Sequence, residues 1–400
     1  MTEIADPNVA AVYALPGRST RAIVDLDAIA GNVTILRHLL PASTSMMAVV
    51  KANGYGHGAV MVSRCALASG VTMLGVATVG EAAELLDHQI TAPILLLGPC
   101  DVSEVRRAVS LGIEITVAGP ELLDAIDAAA GEMGRMARIH LKVDSGMHRY
   151  GAAPADVLAL VDRMAGLESV ELAGVSTHYA AADETEHVAN ARQAAIFEQV
   201  AAQIRVRIGH PFALHAANSA ATFRGMAAGT DIARCGIAIY GLAPSPQVGL
   251  AAGMRPSLSL MSRLGRVHLG RVGDGIGYGH TYVCEAEEWF GLIPLGYADG
   301  YRRALSNRSW VCIAGQRCPV RGNVSMDQMV AGGLGEACRT ADLVGIAGPL
   351  SGGPGFEELA ELWGSIPYEM VTGLSDRIPR YYVANGEVVA TLIEGRLETV

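Results

Sequence analysis

Short apolar runs recur through the first 240 positions, and longer amphipathic stretches separate most of them. The runs lie at 45–51, 73–78, 93–98, 113–118, 138–144, 172–178, 212–217 and 234–240. Between them, at 59–69, 80–87, 102–110, 120–130, 155–165 and 188–206, apolar residues return at helical spacing. Strands alternating with helices predict right-handed β–α–β units and a parallel sheet. Eight such strands predict a closed (β/α)8 barrel of the TIM type. A doubly wound open sheet is the other arrangement, but no Gly-x-Gly-x-x-Gly follows an early strand, so its dinucleotide-binding version has no support. Ahead of the barrel repeats, 21–26 reads as a strand, and Asp27 as the N-cap of a helix through Leu40.

From about Met254 the pattern changes. Short alternating runs at 264–269, 291–295, 310–313, 328–331 and 343–346 are separated by Gly, Asp, Asn and Pro, and one helix is expected at 356–363. This predicts a C-terminal, mostly-β domain. The small-residue segment 244–253 marks the junction. The expected organisation is therefore a lead-in over 1–20, ending at the Pro16-Gly17 turn, a barrel over 21–250 and a β-rich domain over 251–400.

Composition narrows the function. The net charge of −10, with no basic run, argues against a nucleic-acid partner. The seven cysteines are scattered without Cys-x-x-Cys spacing, which fits reduced thiols rather than a disulfide framework. No basic residue precedes the short apolar stretch 9–15, so a secretory signal is not expected, and no apolar run has the length of a membrane span. These features predict a cytoplasmic protein.

Residues with chemistry to offer gather at the ends of the barrel strands, where such folds place their sites. The 45–51 run delivers Lys51 into the glycine-rich turn Ala52-Asn53-Gly54-Tyr55-Gly56-His57-Gly58. A partly desolvated lysine there has a lowered pKa and offers an amine nucleophile, although a surface lysine is the ordinary reading of such a position. Lys142, Asp144 and Arg149 follow the next such end, then His178 and Tyr179, then His215, Asn218 and Ser219, then Arg234, Gly236 and Ile237. Singly, each has a plain structural reading: a hydrogen-bonded histidine, a helix cap, an exposed ion pair. Together they collect cations and a glycine-led helix start, which suits a phosphate. In the second domain Tyr278 stands between Gly277 and Gly279, either as an ordinary half-buried aromatic or as a phenol able to transfer a proton. No His and Cys fall at ligand spacing, so no metal is expected.

These segments resemble the alanine racemases. The match covers about 21–390, with Val50-Lys51-Ala-Asn-Gly-Tyr55-Gly-His-Gly58, Lys142-Val-Asp-Ser-Gly-Met-His-Arg149, Thr177-His178, Asn218-Ser219 and Arg234-Cys-Gly236-Ile237 in the family's order and spacing. Gly277-Tyr278-Gly, the 293–301 segment and Met326-Asp327-Gln328 continue it. The resemblance implies an enzyme of fold-type III that holds pyridoxal 5'-phosphate in the barrel and works as a homodimer with shared sites. It implies interconversion of L- and D-alanine, for peptidoglycan or for alanine catabolism. By the same resemblance Lys51 holds the cofactor and is one base, and Tyr278 of the partner subunit is the other. Tyr55, Ser219, Gly236 and Ile237 would face the phosphate, Arg234 the pyridine nitrogen, and His178 the ring. Arg149 and Met326 would meet the substrate carboxylate, and Lys142 matches a position that is carbamylated in some members. Asp376 departs from the pattern, since a phosphate-contacting tyrosine often stands there. Three other readings are a broader-specificity racemase, a basic-amino-acid decarboxylase of the same fold type, and a non-catalytic cofactor carrier. The absent signal, the Gly-Tyr278-Gly segment and the second domain weigh against them in turn.

Overall fold

The parallel strands Ser45–Val49, Met73–Val76, Ile94–Leu96, Glu114–Val117, Ala137–Lys142, Val170–Ser176, Ala213–His215 and Ile232–Cys235 form one continuous eight-stranded sheet. The computed structural model describes residues 6–400. The first and last strands of the set pair with each other, Ser45 opposite Ile232 and Ala48 opposite Cys235. Asp231 N donates to Leu214 O at 2.8 Å and Arg234 N to Ala217 O at 2.9 Å, which closes the remaining seam without a regular ladder. The sheet is therefore a barrel. Most strand residues are buried on both faces, as expected of parallel strands covered by helices.

The helices begin and end where their sequences provide caps. Thr78 and Glu81 form a capping box at Val79–Asp87, Asp101 caps Val102–Leu111, and Pro120 and Pro154 open the next two. Gly112 ends its helix with φ +70°. Two local expectations need correction. The helix after the first strand is Leu26–Leu39, and its N-cap is Asp25, which accepts from Ala28 N; Asp27 lies in the first turn. The last barrel strand stops at Cys235 because Gly236 breaks it (φ −108°, ψ −101°), and Ile237–Tyr240 is a tight 3-10 turn.

The second domain is built on a mixed sheet. Its strand order runs Gln316–Pro319, Trp310–Ile313, Leu343–Ala347, Leu258–Arg263, Arg21–Asp25, Arg380–Ala384, Glu387–Ile393, Arg396–Thr399. Arg21–Asp25 thus belongs to this sheet and not to the barrel unit in which the sequence placed it. It pairs antiparallel with Leu258–Arg263 and parallel with Arg380–Ala384. The lead-in also has structure: Pro7–Ala14 is a helix capped by Asp6, and Val9, Val12 and Tyr13 pack on Ile23, Tyr381 and Val383. The expected helix Phe356–Trp363 is present, and Pro367–Thr372 follows it. A small three-stranded sheet (Arg266–Gly270, Glu288–Ile293, Met329–Ala331) and the ribbon Gly275–Ile276 with Tyr282–Val283 complete the domain.

Candidate active site

Lys51 stands just past Val49, at the C-terminal end of its strand, and the chain there does something unusual. Ala52, Asn53, Gly54 and Tyr55 all have φ between +50° and +59°, one turn of left-handed helix. Such a conformation costs roughly 1–2 kcal/mol per non-glycine residue, so neighbours must hold it. Ala52 N donates to Glu81 Oε1 at 2.7 Å, and Ala59 N to Asn53 Oδ1 at 3.0 Å. The Tyr55 ring stacks on Tyr240 with centroids 4.9 Å apart. The second domain closes the turn from the other side. Arg380, only 1% exposed, donates from Nε to Gly56 O at 3.2 Å while its terminal nitrogens meet Leu374 O, Ser375 O and Ile378 O. A Cβ at Gly56 would lie 2.0 Å from Val371 O, and one at Gly58 1.7 Å from the Tyr382 hydroxyl.

Cations crowd the mouth. Burial, then the Arg149 charge, lowers the Lys51 amine below its ordinary pKa, with Glu81 opposing. Lys142, at the end of Ala137–Lys142, is half-buried beside these cations. Burial, with Arg234 and Arg149, pushes it well down. His178 is held well below the usual imidazole range by burial and by Arg234, Lys142, Arg149 and Lys51 together. It is therefore neutral near pH 7. The nearby carboxylates already serve the backbone: Glu81 accepts from Ala52, Ala77 and Thr78 N–H, and Asp144 Oδ1 from Gly146, Met147 and His148 N–H. The excess of cations over free carboxylates makes this mouth suited to an anionic ligand.

Arg234 is buried beneath the mouth, and burial lowers its pKa to about 10. Its Nη1 donates to His215 O at 2.8 Å and His215 Nδ1 at 3.1 Å. Its Nη2 donates to Thr177 O, His178 Nδ1 and Ala216 O at 2.9, 3.0 and 3.1 Å. With both terminal nitrogens committed, Nε–H is the donor left for a ligand. To one side Ser219 Oγ accepts from Gly236 N at 2.9 Å and Ala238 N at 3.4 Å, and a Cβ on Gly236 would lie 2.5 Å from the Tyr55 hydroxyl. Tyr55, Ser219 and the Gly236–Ile237 backbone thus converge on one point, and only glycine fits at 236.

The structure brings Lys51, Lys142, Arg149, His178 and Arg234 to one mouth, with Tyr55, Ser219, Gly236 and Ile237 beside it. It does not bring Tyr278 or Met326 there through hydrogen bonds. Tyr278 lies in the loop of the small ribbon, 75% exposed, its carbonyl accepting from Asn323; Met326 is 53% exposed. Asp376 turns its carboxylate to Asn53 Nδ2 at 3.4 Å and Arg380 Nη1 at 3.6 Å. Four residues that hold the site escaped the sequence reading: Glu81, Glu114, His140 and Arg380. His140 shares strand parity with Lys142, which was the available signal for an inward-facing side chain.

A TIM-type barrel with a lysine at its mouth, joined to a mostly-β domain, defines the architecture of this chain. Family models for the alanine racemase N-terminal and C-terminal domains match residues 24–244 and 257–382. The alanine racemase of Symbiobacterium thermophilum is 41% identical over 91% of this chain and 97% of its own. That of Thermobifida fusca is 39% identical over 90% and 97%. Among solved structures, alanine racemase from Streptomyces lavendulae superposes with a TM-score of 0.86 at 38% identity, covering 93% of this chain and 98% of that one. The enzyme from Bacillus anthracis with bound L-Ala-P gives 0.89 at 35%, covering 95% and 98%. The chain belongs to the alanine racemase family and is an isomerase.

Proposed function

We propose that this enzyme interconverts L- and D-alanine with pyridoxal 5'-phosphate as cofactor, using Lys51 and Tyr278 of the partner subunit as opposed bases. The observation that carries the reading is the cation-rich mouth, whose carboxylates already accept backbone N–H groups. The cofactor fits the residues present: an aldehyde for the Lys51 amine, a phosphate for the point where Tyr55, Ser219, Gly236 and Ile237 meet, and a ring nitrogen for Arg234 Nε–H. When bound, it supplies an electron sink for the substrate α-carbon.

Every other part belongs to the chain. Burial keeps the Lys51 amine neutral at lower pH than a free lysine, so Nζ can take the α-proton from one face. Tyr278 returns a proton from the opposite face, and the roles exchange with direction. Its exposure in this single chain, beside exposed Met326 and Tyr297, supports a homodimer in which a partner covers this surface and completes each site. Arg234 has no proton acceptor and holds its charge, so it would donate a hydrogen bond to the ring nitrogen without transferring a proton. His178 would stand beside the ring as a neutral imidazole. Arg149 and the partner's Met326 backbone N–H receive the substrate carboxylate. Burial, with Arg234 and Arg149, favours the uncharged Lys142 amine, the form that adds carbon dioxide with release of a proton, and the resulting carbamate anion would balance the guanidinium charges. Asp376, engaged with Asn53 and Arg380, contributes no phosphate contact. The scattered free thiols support a cytoplasmic setting. Among the described residues no helix is long and apolar enough to cross a membrane. D-alanine made this way feeds peptidoglycan assembly; run in reverse, the same two bases open D-alanine to breakdown.

Lys51→Ala tests the assignment. The bound-cofactor absorbance should vanish and racemisation should fall by at least about 10²–10⁴-fold. Full activity in that variant would refute the reading.

A further inference from the structure

Beneath Arg234 a line of polar side chains crosses the barrel interior. His215 Nε2 lies 2.8 Å from His140 Nδ1, and His140 Nε2 lies 2.6 Å from Glu114 Oε2. Glu114 Oε1 meets the half-exposed Arg138 Nε at 2.8 Å. His140 and His215 are each 1% exposed and Glu114 is 7% exposed. The direction of every bond follows by elimination. Arg234 has donors only, so His215 Nδ1 must accept. His215 therefore carries its proton on Nε2 and donates to His140 Nδ1. His140 in turn carries its proton on Nε2 and donates to Glu114. The order cannot reverse while Arg234 holds its position.

A second observation shows that the space is made for this line. Gly174 stands opposite His140 in the sheet, at a register irregularity, and a Cβ there would lie 2.3 Å from His140 Nδ1 and 3.0 Å from Ala213 O. Any side chain at 174 would displace the ring. Arg234 itself touches no carboxylate; its terminal nitrogens meet carbonyls and imidazoles. The nearest anion along the bonded line is Glu114, two rings away.

We propose that Glu114, His140 and His215 form a one-directional donor relay that fixes Arg234 and supplies its counter-charge, so that Glu114 and His140 are positioning residues for the reaction. The inference rests on the reading of Arg234 as the partner of the cofactor ring nitrogen. Burial alone would push the Glu114 carboxyl up, but the bonds from His140 and Arg138 outweigh it and keep the anion. Burial, with His140, Arg234 and Lys142, holds His215 well below the usual imidazole range, which agrees with a neutral ring. The anion strengthens each donor–acceptor pair behind it, as chained hydrogen bonds in a low dielectric do. Without it, the unbalanced Arg234 charge would polarise a ring nitrogen held at Nε–H more strongly, which would favour the transamination side reaction over racemisation.

Neutron diffraction from deuterium-exchanged crystals of the cofactor-loaded full chain tests the relay directly. Deuterons are expected on Nε2 of both His140 and His215, with none on Nδ1 of either and none on Glu114. A deuteron on Nδ1 of either ring, or a protonated Glu114, would overturn it. In solution, Glu114→Gln keeps an acceptor for His140 and removes the charge. Its kcat should fall about tenfold, KM for alanine should stay within about twofold, and the share of turnovers ending in transamination should rise about tenfold. A folded Glu114→Gln enzyme with wild-type kcat and partition would also overturn it. Should Glu114→Gln fail to fold, Gly174→Ala makes the same kinetic test by displacing the ring. A wild-type protein that does not racemise alanine would refute the functional reading, and the deuteron positions would still decide the relay.

Discussion

Lys51 carries an amine whose basicity is set by its surroundings, and the sign of each contribution gives a kinetic consequence. Burial and Arg149 lower its pKa, while Glu81 raises it. A base works only when deprotonated, so with Lys51 in the proposed role the acid limb of kcat should lie where Lys51 gains its proton in the substrate complex. Glu81→Gln keeps an oxygen for Ala52 N–H and removes the charge, so the pKa falls further and the acid limb should move to lower pH. A move to higher pH in the kcat profile would contradict this electrostatic account. At this scale the sequence was informative where chemistry sits at strand ends: Lys51, Lys142, His178, Ser219 and Arg234 were legible. Glu114 and His140 were not. Glu114 opens its strand and His140 lies between Arg138 and Lys142 in another, so each reads as one more polar strand residue, because the partner that explains it lies on a neighbouring strand. Asp25 was passed over as a cap because it also ends a strand.

The turn Ala52–Tyr55 matters as an element because three non-glycine residues are held left-handed beside the Lys51 amine. The strain is carried by contacts from Glu81, Asn53 and the second domain, so loosening them should relax the turn and misplace Lys51. Gly56→Ala puts a methyl 2.0 Å from Val371 O at φ +79° and forces that relaxation. We expect a loss of about 1–3 kcal/mol in stability together with weaker cofactor binding, read by thermal denaturation and by cofactor titration. Unchanged values for both would mean that the turn tolerates a side chain. The glycines signalled a sharp turn here, but not its hand, since Ala and Tyr rarely adopt positive φ. Barrel strands and helices were otherwise legible to within a few residues because caps and prolines mark their ends. In the second domain, strands such as Leu258–Arg263 and Arg380–Ala384 were missed, since sheet pairing at long range leaves little local trace.

For the whole molecule, the N-terminal segment ties the two domains together by adding Arg21–Asp25 to the second sheet, and Arg380 reaches from that sheet to the lysine turn. No local pattern announces either link. On the proposed two-base reading, the exposed Tyr278 calls for a site shared between copies. Protomers carrying Lys51→Ala and protomers carrying Tyr278→Phe, each inactive alone, should regain activity when mixed and reassembled. Random pairing makes half the dimers hybrids with one intact site of two, so recovery should approach about a quarter of wild type. No recovery, with hybrids present, would place both bases in one subunit. The central claim is two-base racemisation, and solvent-deuterium incorporation at the α-carbon of L-alanine and of D-alanine, followed together with optical rotation, tests it most directly. The account expects deuterium to enter both enantiomers while rotation falls to zero from either side. Deuterium entering with rotation preserved would mean that a single face exchanges, and would contradict the account.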